Sequence, residues 1–191
     1  MHSKPKISIG MPIYNGGLSL ERTLPLILNQ EFQDFELIIS DDCSTDNTQE
    51  VCERYAGFDP RIKYYRQEKN FGMPVKNFRF VLSKAQGEFF MFASHDDPYE
   101  PEFITEMLKI MDFDPNCALA FCCYNIKNAS GPEKIAISPS SSCSKFAVTR
   151  YFSRIIDMQP ALIYGFFRKK LIAAKDLYLY DFYEVDIGIK M

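Results

Sequence analysis

The sequence predicts an α/β protein: a mostly parallel central sheet flanked by helices on both faces. Three observations predict it. Short apolar runs of strand length alternate with stretches of helical spacing from residue 6 to about residue 127, as a βαβ series requires. Two of those runs end in adjacent carboxylates, Asp41-Asp42 and Asp96-Asp97, at the strand ends where open α/β sheets hold their ligands. The chain of 191 residues, 47% of them apolar, is long enough for one domain with a real core.

The elements follow in order. Residues 6–13 alternate as a strand and run into the turn Tyr14-Asn15-Gly16-Gly17. Residues 18–30 have helical spacing, with Pro25 predicting a kink or a late start. Residues 35–40 are a second strand, and Asp46 with Gln49 three residues on forms a capping-box pattern for a helix to about residue 56. Residues 61–66 are a third strand, 74–85 a helix with Pro74 in its first turn, and 88–94 an aromatic-rich buried strand bounded by Gly87. A helix over 100–113 carries Phe103, Met107, Leu108 and Met111 on one face, and 118–126 is another apolar strand. From 128 to 144 Ser, Pro and Gly dominate, which predicts a mobile loop. An amphipathic helix at 145–157, a strand at 161–167, a short helix from 168 and a final segment at 181–191 complete the chain.

Composition excludes several classes. A net charge of −3 offers no basic surface for nucleic acid. No apolar stretch reaches the length of a membrane span, and the polar start Met1-His2-Ser3-Lys4 lacks a signal peptide's apolar core. Six cysteines without paired CxxC spacing predict reduced thiols in a cytoplasmic protein, and with only His2 and His95 the sequence argues against a structural zinc site. No GxGxxG and no Gly-rich basic phosphate loop follows the first strand, which argues against a dinucleotide-binding domain and a nucleotidyltransferase.

The acidic pairs carry the chemistry. Adjacent carboxylates repel unless a cation or a hydrogen-bonded sugar lies between them. Hard oxygen ligands suit Mg²⁺ or Mn²⁺, which in turn hold diphosphates. A single such pair also reads as a solvated turn that opens a helix. Here the ends of three strands, Pro12-Ile13-Tyr14-Asn15, Asp41-Asp42 and Asp96-Asp97, fall on one sheet edge.

Together these strand ends resemble the nucleotide-sugar-dependent glycosyltransferases of family 2, which have the GT-A fold. The matching string runs Ile7-Ser8-Ile9-Gly10-Met11-Pro12-Ile13-Tyr14-Asn15, then Leu28-Asn29-Gln30, then Phe35 through Asp46. It continues with Asn70-Phe71-Gly72, Asn77, Ala85-Gln86-Gly87-Glu88 and His95-Asp96-Asp97, and echoes in Gly165-Phe166-Phe167-Arg168-Lys169 and Glu184-Val185-Asp186-Ile187. The resemblance implies a nucleotide-sugar-binding half over residues 1–127, with 145–191 as the acceptor-side segment of the same, truncated domain.

It also implies roles. Pro12 and Tyr14 match the wall on which the base lies, Asp42 the carboxylate that accepts the base's ring N–H, and Asp41 its positioning partner. Asp96 would hold the ribose or share the metal, Asp97 would bind Mg²⁺ or Mn²⁺ directly, and Lys76 could reach the diphosphate. Glu184 aligns with the general base, with Asp186 and Asp181 as alternatives. Two positions depart from the family pattern. His95 stands first in the usual acidic triplet, and Tyr183-Glu184 replaces the usual acidic pair. The function implied is inverting transfer from a nucleoside diphosphate sugar, uridine diphosphate above all, to a glycan, lipid-linked or polysaccharide acceptor. Such a protein would work in the cytoplasm, at most peripherally at the inner face of a membrane. The alternative is a non-catalytic, nucleotide-binding scaffold of the same fold.

Overall fold

In the computed structural model, residues 4–120, 124–128, 131–135 and 164–171 are described. Strands β1 (Ile7–Ile13), β2 (Phe35–Asp41), β3 (Ile62–Arg66) and β4 (Phe89–Phe92) alternate with helices α1 (Gly17–Leu28), α2 (Thr48–Phe58) and α3 (Pro74–Lys84). Helix α4 (Phe103–Phe113), β5 (Leu119–Ala120), the pair β6 (Tyr124–Asn128) and β7 (Gly131–Ile135), and β8 (Phe166–Arg168) follow, with a 3₁₀ turn at Lys169–Leu171. The central sheet has the order β3-β2-β1-β4-β8-β5. The β1–β2, β2–β3 and β1–β4 pairs are parallel, and β8 runs antiparallel between β4 and β5. The predicted α/β fold with a mostly parallel central sheet is therefore the observed one, with β8 as its antiparallel member.

Period-2 alternation divides the core. Ile7, Ile9, Met11 and Ile13 of β1 face the same layer as Leu37, Ile39, Phe89 and Met91, and are covered by Leu20, Leu24 and Ile27 of α1, Val51 of α2 and Met107 of α4. On the other face Ile38, Phe90 and Phe92 meet Val75, Phe78, Val81 and Leu82 of α3. All four residues of β4 are buried, each contributing about 2 kcal/mol of apolar burial. Gly10 lets α3 lie close to β1. A Cβ there would come within 2.8 Å of Phe90 Cζ and 2.9 Å of Val81 Cγ2, so Gly10→Val would push the helix off the sheet.

Several elements differ from expectation. Helix α1 starts at Gly17 and runs through Pro25 to Leu28. The proline forfeits one backbone bond, and buried Leu20, Leu24 and Ile27 hold the helix on the sheet on both sides of it. The capping box at α2 is half formed: Asp46 Oδ1 accepts the Thr48 N–H at 3.0 Å, but Asn47 immediately precedes the helix and Gln49 reaches forward to Glu53 at 2.7 Å instead of back. The apolar run at 118–126 is divided between β5 in the central sheet and β6 in a second sheet. The expected loop at 128–144 begins instead as a hairpin strand, β7, whose Gly131 pairs with Asn128. The remainder of that loop, the helix at 145–157 and the segment at 181–191 lie outside the described residues.

Candidate functional site

The parallel arrangement of β1, β2 and β4 sets their C-terminal ends on one edge. At the exits of β1 and β2 the chain is knitted by side chains bonding to backbone. Asn15, with φ 52°, donates its N–H to Ser44 Oγ at 2.8 Å and accepts the Thr45 N–H on Oδ1 at 2.8 Å. Gly16 and Gly17 donate to Thr48 Oγ1 and Asp46 Oδ2 at 3.0 and 3.1 Å. Burial opposes the Asp46 charge, but the Thr48 hydroxyl and the Thr48 and Gly17 N–H groups outweigh it and hold this carboxyl below the usual range.

Asp41 and Asp42 have separate fates. Asp41 is 0% exposed. Its carboxylate accepts the Ser44 N–H at 2.8 Å, the Tyr64 hydroxyl at 2.9 Å and Arg66 Nη1 at 2.7 Å. Burial, then the bond to Asp41, raises the Tyr64 phenol well above its ordinary value. Asp41 is thus spent on the fold. Asp42 turns toward a cavity of about 230 Å³ lined by Pro12, Ile13, Tyr14, Asp42, Asn70, Gly72, Met73, Pro74, Asn77 and Phe78. That volume lies below the roughly 300–1,000 Å³ of drug-sized pockets and suits one ring system.

The 70–72 segment wraps over Asp42. Its Oδ1 accepts the Phe71 N–H at 2.7 Å, and its backbone oxygen accepts Asn70 Nδ2 at 3.0 Å. Gly72 takes φ 70°, a left-handed turn that glycine adopts without a Cβ penalty, and donates to Asn70 Oδ1 at 2.7 Å. Burial raises the Asp42 pKa, the Phe71 N–H pulls it down, and the Asp41 charge adds to the rise. Tyr14 is 51% exposed at the mouth of the cavity, an aromatic face open to a planar ligand. Lys76 is exposed, 3.4 Å from the Phe71 carbonyl, and its charge favours ionised Asp42.

At the exit of β4, Ser94 donates its N–H to the Tyr99 hydroxyl at 3.0 Å and its own hydroxyl to Asp96 Oδ1. The His95 ring lies on Gly16, where a Cβ would approach its Cδ2 to 1.9 Å. This contact seats the 95–97 turn against the start of α1. Asp96 is 58% exposed, with His95 Nδ1 at 3.7 Å from Oδ1. Asp97 is also exposed, yet the surrounding protein displaces enough water to raise its pKa, the Asp96 charge raises it further, and His95 opposes the shift. Two hard carboxylates on one turn are of the type that could hold a divalent ion. Among the described residues no trio of His, Cys, Asp or Glu is placed to hold a metal alone.

The structure therefore brings Pro12, Tyr14 and Asp42 to one cavity, sets Lys76 near Asp42, and places Asp96 and Asp97 on the same sheet edge. Glu184 and Asp186 lie outside the described residues, as does Asp181. Sequence reasoning missed Tyr99 as the anchor of the β4 exit and Met73, Pro74 and Phe78 as cavity wall. It also missed the clasp on Asp41, which period 2 in β3 could have revealed, since Tyr64 and Arg66 share a face.

The fold and the site match a known family of proteins. The family model for glycosyl transferase family 2 matches residues 8–172, and the chain belongs to that family. It is 32% identical over 140 residues to the putative teichuronic acid biosynthesis glycosyltransferase TuaG of Bacillus subtilis, covering 72% of this chain and 55% of that one. A Campylobacter jejuni protein, GalNAc(5)-diNAcBac-PP-undecaprenol beta-1,3-glucosyltransferase, is 39% identical over 93 residues, 49% of this chain and 30% of its own. The crystal structure of Staphylococcus aureus TarS 1-349 in complex with UDP-GlcNAc superposes with a TM-score of 0.70 at 24% identity, covering 91% of this chain and 48% of that one. The fold is GT-A. The chain spans about half the length of TuaG and less of the Campylobacter protein.

Proposed function

We propose that this chain is an inverting, metal-dependent glycosyltransferase. It takes a sugar from a uridine diphosphate sugar and transfers it to a glycan, lipid-linked or polysaccharide acceptor. The observation that carries the reading is the ring-sized cavity at the ends of β1 and β2, with Tyr14 at its mouth and the Asp42 carboxylate on its wall. The printed names of the relatives, teichuronic acid biosynthesis and an undecaprenol-linked glycan, support the acceptor class, and the UDP-GlcNAc complex of TarS supports the donor. Cys43, Cys52 and Cys117 are free thiols, which supports a reducing, cytoplasmic setting. Among the described residues no helix is long and apolar enough to cross a membrane.

In this reading the base stacks beside Tyr14 over Pro12, and its ring N–H donates to Asp42. The ribose and diphosphate extend along the sheet edge toward Asp96 and Asp97, with Lys76 adding positive charge near the phosphates. Asp96 and Asp97 would hold Mg²⁺ or Mn²⁺, which when bound compensates the charge of the leaving diphosphate. Glu184, with Asp186 as the alternative, removes the acceptor hydroxyl's proton as that oxygen bonds to C1 and the C1–O bond to diphosphate breaks, so that C1 inverts.

The first test is a melting-temperature screen of UDP, CDP, GDP and ADP with and without Mn²⁺. UDP with metal should give the largest rise, about 2.7 kcal/mol of stabilisation at a hundred times its dissociation constant. No shift with any nucleotide would end the donor reading. The second test is transfer by Glu184→Gln, expected to fall about 10²–10⁴-fold while donor binding holds. A larger loss in Asp186→Asn, made in parallel, would move the base by a fraction of a turn. Nucleotide binding without transfer by the parent to any acceptor would favour the scaffold alternative.

A further inference from the structure

Asn77 sits on α3 above the point where β1 and β2 end, and is 3% exposed. Its amide nitrogen donates to the Ser40 carbonyl at 2.8 Å and, more weakly, to the Ile13 carbonyl at 3.4 Å. Two carbonyl acceptors on one side fix the orientation of the amide, since only its nitrogen can donate. The oxygen at the other corner, Oδ1, is buried and accepts no hydrogen bond. Asn77 lines the same cavity as Asp42 and Tyr14. Two backbone donors of the covering segment are committed elsewhere, Phe71 N–H to Asp42 and Gly72 N–H to Asn70. Buried acceptors without a donor are rare and costly, and one lining a ligand cavity points to a partner that arrives with the ligand.

Asp42 thus lines the cavity and the unpartnered Asn77 oxygen is buried in its wall, whereas uracil brings a single ring N–H flanked by two carbonyls. Both acceptors cannot take that one proton. A water molecule resolves the mismatch, because it can donate to an acceptor on each side. Resting on the donor assignment above, we propose that Asn77 is a positioning residue for base recognition: its Oδ1 holds a water whose second proton goes to a uracil carbonyl beside the N–H that Asp42 accepts. Asn77 then reads a carbonyl where Asp42 reads a proton.

The test is calorimetric titration of UDP, 2-thio-UDP and 4-thio-UDP into the full chain, its Asn77→Ala variant and, should that fold poorly, Asn77→Ser. Sulfur in place of the bridged oxygen is a poor acceptor, so the parent should bind one thio analogue about three- to tenfold more weakly than UDP. In Asn77→Ala that preference should vanish, so that ligand and residue behave as a coupled pair. A purely structural Asn77, serving only to bind the Ser40 carbonyl, would lower the melting temperature and weaken all three ligands equally, and this result overturns the proposal. So does a parent that binds all three alike. A parent that binds no uridine nucleotide removes the donor assignment and this proposal together, whereas UDP binding with an unmoved preference removes only the role of Asn77.

Discussion

The exits of β2 and β4 each carry two neighbouring aspartates, and the protein treats them in opposite ways. At β2 the first carboxylate is fully buried and takes three hydrogen bonds, while the second faces the cavity under the Phe71 N–H. At β4 both carboxylates are exposed, and among the described residues the hydrogen bond to them is the one from the Ser94 hydroxyl to Asp96. Asp97, which accepts none from the described residues, is raised in pKa by desolvation and by its neighbour. The first exit is finished by the protein itself. The second has charge left over, which in the proposed function a cation would relieve. The same dipeptide is therefore scaffold and cavity wall in one place and a pair of exposed, mutually repelling carboxylates in the other.

The largest effect should come from breaking the finished exit. Asp41→Ala would strand the Tyr64 hydroxyl, the Ser44 N–H and one side of Arg66, whose guanidinium also donates to the Ser44 carbonyl at 2.9 Å. Removing one partner of a buried pair typically costs about 3–5 kcal/mol, and the lower end applies here because Arg66 is partly exposed. Urea denaturation should show that loss, with nucleotide binding weakened in consequence because Asp42 is the next residue. Stability within 1 kcal/mol of the parent would mean that the β1 and β2 exits are held by Asn15, Asp46 and Thr48 without help from Asp41.

Asp97→Ala should do the reverse. Exposed carboxylates outside any network change stability by less than about 0.5 kcal/mol, so the urea midpoint should hold. The metal-dependent part of UDP affinity should disappear, a loss of roughly 10- to 100-fold on the scale of one interaction with a charged group. Calorimetry in Mn²⁺ and in excess chelator decides it. Equal UDP affinity of the parent under both conditions would leave the second exit without its cation.

How far the sequence disclosed this contrast depends on range. The strands were legible because each is a short apolar run bounded by glycine, proline or charge, as in Gly87 before β4. The edge on which the acidic pairs meet followed from parallel order alone. Which aspartate of a pair is buried did not, because Asp41 is buried by Tyr64 and Arg66 from β3, more than twenty residues away. The insertion of β8 between β4 and β5 was illegible for the same reason: an antiparallel strand of three residues leaves no local signal of its neighbours. The β6–β7 pair was missed differently, since a Ser/Pro/Gly composition over a long window outweighed a five-residue strand at Gly131–Ile135.

The smallest effect is also the finest probe of the comparison, because Asp42 and Asp46 flank one turn yet are shifted in opposite directions. Burial raises Asp42 in the folded protein, so its charge opposes folding above the ordinary carboxylate pKa. A raised folded pKa contributes stability that is fully present below the unfolded value, about 3.8, and lost as pH rises through the folded one. Asp42→Asn, whose oxygen can still accept the Phe71 N–H, should then melt higher than the parent at neutral pH, the gain shrinking as pH falls toward 4. Asp46 has the opposite linkage: its depressed pKa gives stability above the unfolded value, and that stability is lost as pH falls through the folded one. Asp46→Asn should melt lower than the parent at neutral pH, and the deficit should narrow in acid. Melting curves of the three proteins between pH 3 and pH 8 check both signs at once. An Asp42→Asn variant that melts lower at every pH would show that the charge of Asp42 stabilises the 70–72 segment, and would assign the cavity-facing end of the β2 exit to the scaffold as well.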